Sequence, residues 1–163
     1  MNALMRSPVK SDIQTLVKVI KQSGSTDGFA PALSVQQWDL LAGYLQPFAF
    51  TQGQNLIEQG ALDRTLYLVE SGTLSVHYED DKGRVRIAMV EAGSAVGEGA
   101  FFSRLPRNAT VQAAIAAKVW CLTPIRFTEL SNRQPAVALE IAMGLGSLVS
   151  RRLMNKPRRV AVT

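Results

Sequence analysis

Residues 97–113 read GEGAFFSRLPRNATVQA, and two side chains in that run can do chemistry together. Arg107 presents a planar fork of donors, the geometry that grips two oxygens of one phosphate. Glu98 cannot serve the same anion, because like charges repel. Its carboxylate is an acceptor and suits a sugar hydroxyl beside the phosphate. EGAFFS is long enough for a short helix, so Glu98, Gly99 and Ala100 would expose backbone amides at the positive end of its dipole. Gly93 and Gly97, just upstream, let the backbone turn tightly or approach a ligand closely. Pro106 keeps the residue before it extended. An anion grip beside a hydroxyl acceptor describes a ribose phosphate. The same spacing also allows a plain Glu98–Arg107 ion pair that closes a loop and holds no ligand.

Other chemistries have little material. A nucleotide-triphosphate loop needs GKS or GKT in a glycine-rich setting, which is absent. The single histidine, His77, lies in a strand-like run and reads as a surface or half-buried residue. With one His and one Cys, zinc sites and Cys–His catalysis are not expected, and no Gly-x-Ser-x-Gly elbow supplies a serine nucleophile. The chain is expected to be neither an enzyme nor a metalloprotein.

Three zones must position the motif. SDIQTLVKVIKQSG (11–24) places Ile13, Leu16, Val17 and Ile20 on one helix face, with Ser11 or Asp12 as cap and Gly24 as stop. A second helix, SVQQWDLLAGYL, starts at Ser34 and aligns Trp38, Leu41 and Leu45. From about 47 to 124 the chain alternates short β-branched or aromatic runs with turn formers: FAF, NLIEQ, TLYLVES, GTLSVHY, RVRIAMV and AKVWCLT. Such spacing predicts a sandwich or barrel, with jelly-roll topology possible and a hairpin tip at YEDDKGRV. The third zone is helical: PIRFTELSNRQ, then PAVALEIAMGLGSLVSRRLMNK, with Pro135 in its first turn and Pro157 as its end. The longer helix carries two apolar stripes, Leu139/Ala142/Gly146/Val149/Leu153 and Ala138/Ile141/Leu145/Leu148, with Glu140, Ser147 and Arg151 on a third side. One stripe can cover the β domain while the other meets a second copy, with Gly144 and Gly146 allowing close approach. A helix wholly sunk in its own core is the alternative.

At 163 residues the chain is one domain by length, able to bury a core without disulfides or metals. Its net charge of +5 invites a polyanion partner, but Arg151, Arg152, Lys156, Arg158 and Arg159 crowd one end and read as a solvated helix terminus. A single cysteine, Cys121, excludes an intrachain disulfide, suits a reducing cytoplasm and reads as a buried small apolar residue. The N-terminus lacks the apolar core of a signal peptide, and AVALEIAMGLGSLV, interrupted by Glu140, is too short to span a bilayer. A soluble cytoplasmic protein with no membrane contact is expected.

The motif resembles the phosphate-binding cassette of cyclic nucleotide-binding domains, as in the bacterial catabolite activator protein and the regulatory subunits of cAMP-dependent protein kinase. That cassette is Gly-Glu, a short helix, then Pro-Arg, a small residue, Ala and Thr-Val; here GE stands at 97–98 and PRNATV at 106–111. The likeness extends through residues 53–78, with Gly53, Gly60 and Gly72 at turn positions, and through the helices at 125–153. It covers roughly residues 34–153, flanked by an N-terminal helical extension (1–33) and a basic tail (154–163).

The resemblance implies a mostly β fold, a double-stranded β-helix or jelly-roll-like β-roll, with N-terminal helices and a long C-terminal helix. It implies a 3′,5′-cyclic nucleotide as ligand, cAMP preferred over cGMP. Glu98 would accept from the ribose 2′-hydroxyl and Arg107 would pair with the cyclic phosphate. Backbone amides at Gly97, Glu98, Gly99 and Ala100, and at Asn108 and Ala109, would complete the cage. Gly99 departs from the usual aliphatic residue, which loosens the short helix. Asn108 departs from Ser, Thr or Ala, and MNKP replaces the polar residues that cap adenine, with Asn155 as the available substitute. Because the chain runs only six residues past Pro157, a helix-turn-helix and direct DNA binding are not expected. The expected protein is a stand-alone sensor whose ligand pulls the short helix inward and repositions the C-terminal helices, read by an unknown downstream protein. The other readings are a ligand-free interaction module of the same fold and a nucleic-acid accessory protein using Arg151 to Arg159.

Overall fold

The computed structural model describes residues 7–8 and 12–155. Helix α1 (Ile13–Gln22) is capped by Asp12, whose side chain accepts from the Gln14 N–H. The other cap candidate, Ser11, lies outside the described residues. The helix ends on Ser23 rather than Gly24 and buries Ile13, Leu16, Val17 and Ile20, as their spacing predicts. Helix α2 (Val35–Ala42) starts in a capping box in which Ser34 and Gln37 satisfy each other's backbone N–H.

The strands follow as β1 (Ser7–Pro8), β2 (Gln46–Phe50), β3 (Asn55–Ile57), β4 (Leu66–Ser71), β5 (Thr73–Asp80), β6 (Gly83–Glu91), β7 (Ala95–Val96), β8 (Thr110–Ala113) and β9 (Ala117–Leu122). Helix α3 (Glu98–Ser103) interrupts them between β7 and β8, and α4 (Pro124–Arg133) and α5 (Pro135–Met154) close the described chain. All pairings are antiparallel, in a five-stranded sheet β1-β2-β9-β4-β7 and a four-stranded sheet β3-β8-β5-β6. This is the expected β-roll with flanking helices. Strand β7 escapes sequence reading because two residues show no periodicity.

Why β4 and β9 read as unbroken apolar runs is explained by burial on both faces. Side chains alternate across a strand. Tyr67, Val69, Val119 and Cys121 therefore enter the core between the sheets, with Leu74, Val76 and Val111. Leu66, Leu68, Trp120 and Leu122 face outward beneath α1, α2, α4 and α5. The tight β4–β5 turn needs Gly72 (φ +85°), since a Cβ there would meet Ala116 O at 2.4 Å.

Helix α5 resolves its two stripes. Ala138, Ile141, Leu145 and Leu148 are buried in the helix-side core, while Leu139 and Leu153 are exposed. Two expectations are corrected. Gly144 does not await a partner helix: its missing Cβ makes room for this chain's own Phe29 and Pro31, 3.0 and 3.3 Å from where it would stand. Nor are Arg151 and Arg152 part of a solvated terminus. Arg151 donates to Thr26 O and Gly28 O, and Arg152 is buried. The remaining basic residues, and the helix stop expected at Pro157, lie outside the described residues.

Candidate functional site

Helix α3 begins at Gly97 (φ 89°) and ends at Arg104 (φ 61°), both left-handed. Arg104 is the one non-glycine residue with positive φ among the described residues. At Gly97 a side chain is excluded on two counts. The conformation disfavours L-residues, and a Cβ would stand 2.7 Å from Thr65 O and 2.8 Å from Arg107 Nη1.

That contact shows how closely Arg107 approaches the helix. Only 2% exposed, Arg107 is anchored first through its main chain, which donates to Ala61 O (2.8 Å) and accepts from the Gly60 N–H (2.7 Å). Its Nη1 donates to Gly97 O (2.9 Å) and its Nη2 to Thr65 O (2.7 Å) and Asp63 Oδ2 (2.9 Å). Nε reaches Asp63 Oδ1 at 3.5 Å. The guanidinium thus ties the β3–β4 loop to the start of α3.

Glu98 is fully buried and ion-paired with Arg152 near the end of α5. Arg152 also donates to Asp27 (2.7 and 3.1 Å), Ser94 Oγ (3.1 Å) and Ala95 O (2.8 Å). Burial alone would lower the Arg152 pKa, but the Glu98 and Asp27 carboxylates outweigh it and the pKa is raised. The guanidinium is therefore a permanent cation joining α5, α3 and the 23–33 strap that follows α1.

The sequence left open a direct Glu98–Arg107 pair; instead each charge has another partner, Asp63 for Arg107 and Arg152 for Glu98. The two do meet at the same helix start, through Gly97 and Glu98. Gly99 is half-buried and Ala100 buried in the first turn of α3. Asn108 is exposed, whereas the Ala109 methyl packs in the core between the sheets, so only its main chain is available to a ligand. Next to it, Thr110 lines a hollow of about 340 Å³ with Asn55, Glu58, Gln59 and Glu79. His77 accepts at Nδ1 from Arg84 (2.9 Å), and burial, Arg84 and Arg86 lower its pKa from 6.5.

Sequence reasoning missed Asp63, Thr65, Asp27, Ser94 and Arg152. Asp63 sits in QGALDR and Asp27 in GSTDGF, both of which read as ordinary turns. Arg152 carried a usable signal: it is spaced four and seven residues from Leu148 and Leu145, on the stripe that turned out to be buried.

A model of the family described as "cyclic nucleotide-binding domain" matches residues 47–134. The cyclic AMP receptor protein of Thermus thermophilus is 30% identical over 135 residues, covering 82% of this chain and 59% of the relative. The cGMP-dependent protein kinase of Plasmodium berghei is 28% identical over 133 residues, covering 79% of this chain but 15% of the kinase. The chain thus spans a small part of some curated relatives it matches. Among solved structures, a cyclic nucleotide-binding domain from Methylobacillus flagellatus superposes with a TM-score of 0.84 at 19% identity, over 96% of this chain and 88% of that one. The catabolite activator protein of Thermus thermophilus gives 0.68 at 27% identity, over 77% and 58%. A β-roll, a glycine-capped short helix and a buried Pro-Arg arginine, together with these matches, establish that the chain belongs to the cyclic nucleotide-binding domain family.

Proposed function

We propose that the chain is a regulatory sensor that binds a cyclic nucleotide, cAMP preferred over cGMP, at the start of α3. The observation that carries this reading is Arg107, buried and bonded to the carbonyl of Gly97 at the start of α3. Gly97, Glu98, Gly99 and Ala100 supply backbone amides on one side of the phosphate, and Asn108 and Ala109 on the other. Arg107 already spends Nη2 and one hydrogen of Nη1 on the protein, so a two-oxygen grip on phosphate exchanges Asp63 for the ligand. The exchange leaves the buried guanidinium paired throughout, because it trades Asp63, 28% exposed, for a charge-assisted phosphate grip. Glu98 keeps Arg152 while accepting the ribose hydroxyl, since a carboxylate takes more than one donor. Ligand and α5 then share one carboxylate, which is how occupancy of the cassette shifts the C-terminal helices. A cytoplasmic setting and a binding rather than catalytic role accompany this reading.

The same saturation of Arg107 and Glu98 by protein partners favours a second reading, a ligand-free interaction module. Calorimetric titration with cAMP, cGMP and 5′-AMP separates them. The sensor gives saturable heat with the cyclic nucleotides and none with 5′-AMP, whose doubly charged phosphate and free 3′-hydroxyl do not suit the cage. Silence with all of them leaves the module.

A further inference from the structure

A cavity of about 430 Å³ opens between α3, α4 and α5, and neither Glu98 nor Arg107 lines it. Its aromatic floor is Phe101 set edge-on against Phe127 (centroids 5.2 Å, 72°). Phe102 (46% exposed) and Ile125 (74%) stand at its wall without cover. Exposed apolar side chains in one concave place mark an interaction site more than scattered ones do. Among the described residues the charges there are one-sided: Arg64 and Arg104 line the cavity and no carboxylate does. Arg64 makes long bonds to Ala100 O (3.4 Å) and Phe101 O (3.3 Å). Among the described residues nothing pairs with the Arg104 side chain, which is held at the cavity by the left-handed end of α3.

We propose that this groove docks an acidic, apolar peptide segment of a partner protein, with an aromatic or large aliphatic side chain on the phenylalanine floor and carboxylates at Arg64 and Arg104. Charge complementarity selects that occupant. A second copy carries a net charge of +5, and the chain's own Lys156, Arg158 and Arg159 have the sign of the groove. The residues that line the groove are separate from the cassette charges Glu98 and Arg107. The groove does sit at the far end of the six-residue helix that starts with Glu98, so a partner there would read the position of that helix.

The test is a selection of displayed random short peptides on the full chain without nucleotide, followed by affinity measurement with a labelled synthetic copy of the recovered peptide. The expected peptides combine Asp or Glu with Phe, Trp or Leu. Their affinity falls about ten-fold or more in Arg104→Glu and in Ile125→Asp, both exposed positions, and is unchanged in Arg84→Glu on the β5–β6 hairpin. Peptides without acidic enrichment, or binding indifferent to Arg104→Glu, overturn the proposal. So does an empty selection, whether or not laurate saturates the chain; laurate binding would instead make this a small-amphiphile site. Self-association abolished by Ile125→Asp overturns it too, in favour of a second copy.

Discussion

At the residue scale the decisive fact is that both charges of the motif are already spoken for. Glu98 and Arg152 are each within a few per cent of complete burial, so removing one partner strands the other charge. Arg152→Leu is expected to cost about 3–5 kcal/mol in urea unfolding, and Arg152→Leu with Glu98→Gln to recover a substantial part of it. A loss under about 1 kcal/mol in the single variant would mean that solvent reaches the pair. Arg107 and Glu98 were legible in the sequence because the cassette spacing is local. Their partners were not. Asp63 is 44 residues from Arg107, and Arg152 is 54 from Glu98, and no short-range pattern encodes such pairings. The basic cluster was misread for a related reason. Composition registers five cations near one end, but only packing shows that Arg152 is enclosed by α3 and the strap and that Arg151 bonds the strap.

Elements were legible where periodicity was long. The buried faces of α1 and of α5 follow their 3.6-residue spacing, and the double-sided burial of β4 and β9 matches their apolar runs. The role of the strap was not legible, because its grip on α5 comes from Phe29, Pro31, Asp27 and the carbonyls of Thr26 and Gly28 rather than from a pattern. Two glycines of one helix test that grip. Gly144 faces the strap, so Gly144→Val is expected to lower stability by about 1–3 kcal/mol through overpacking on Phe29. A Cβ at Gly146 would meet nothing within 4 Å outside its own helix backbone, and Gly146→Ala is expected to raise stability by up to about 1 kcal/mol through helix propensity alone. Thermal unfolding of both variants gives the comparison, and equal effects would contradict the assigned packing.

For the whole molecule, α5 is both wall and tie. Its inner stripe closes the helix-side core, and its end holds the ion pair that reaches α3. We infer that the outer stripe, through Leu139, Val149 and Leu153, pairs two copies. Sedimentation velocity is then expected to show a dimer that Leu153→Glu dissociates and Ile125→Asp does not; a monomer at all accessible concentrations would remove that inference. Such a dimer would place the two cassettes under one mechanical constraint. No helix among the described residues is long and apolar enough to cross a membrane.

The nucleotide itself remains the most direct arbiter. Calorimetry of cAMP into the wild-type chain and into Arg107→Lys compares a planar fork with a point charge at the same buried position. Saturable one-site binding is expected in the wild type, weakened about thirty-fold or more by Arg107→Lys, the order expected when a buried charge-assisted pair loses a partner's geometry. Wild-type binding that Arg107→Lys leaves intact, or no binding heat in either protein, would contradict it.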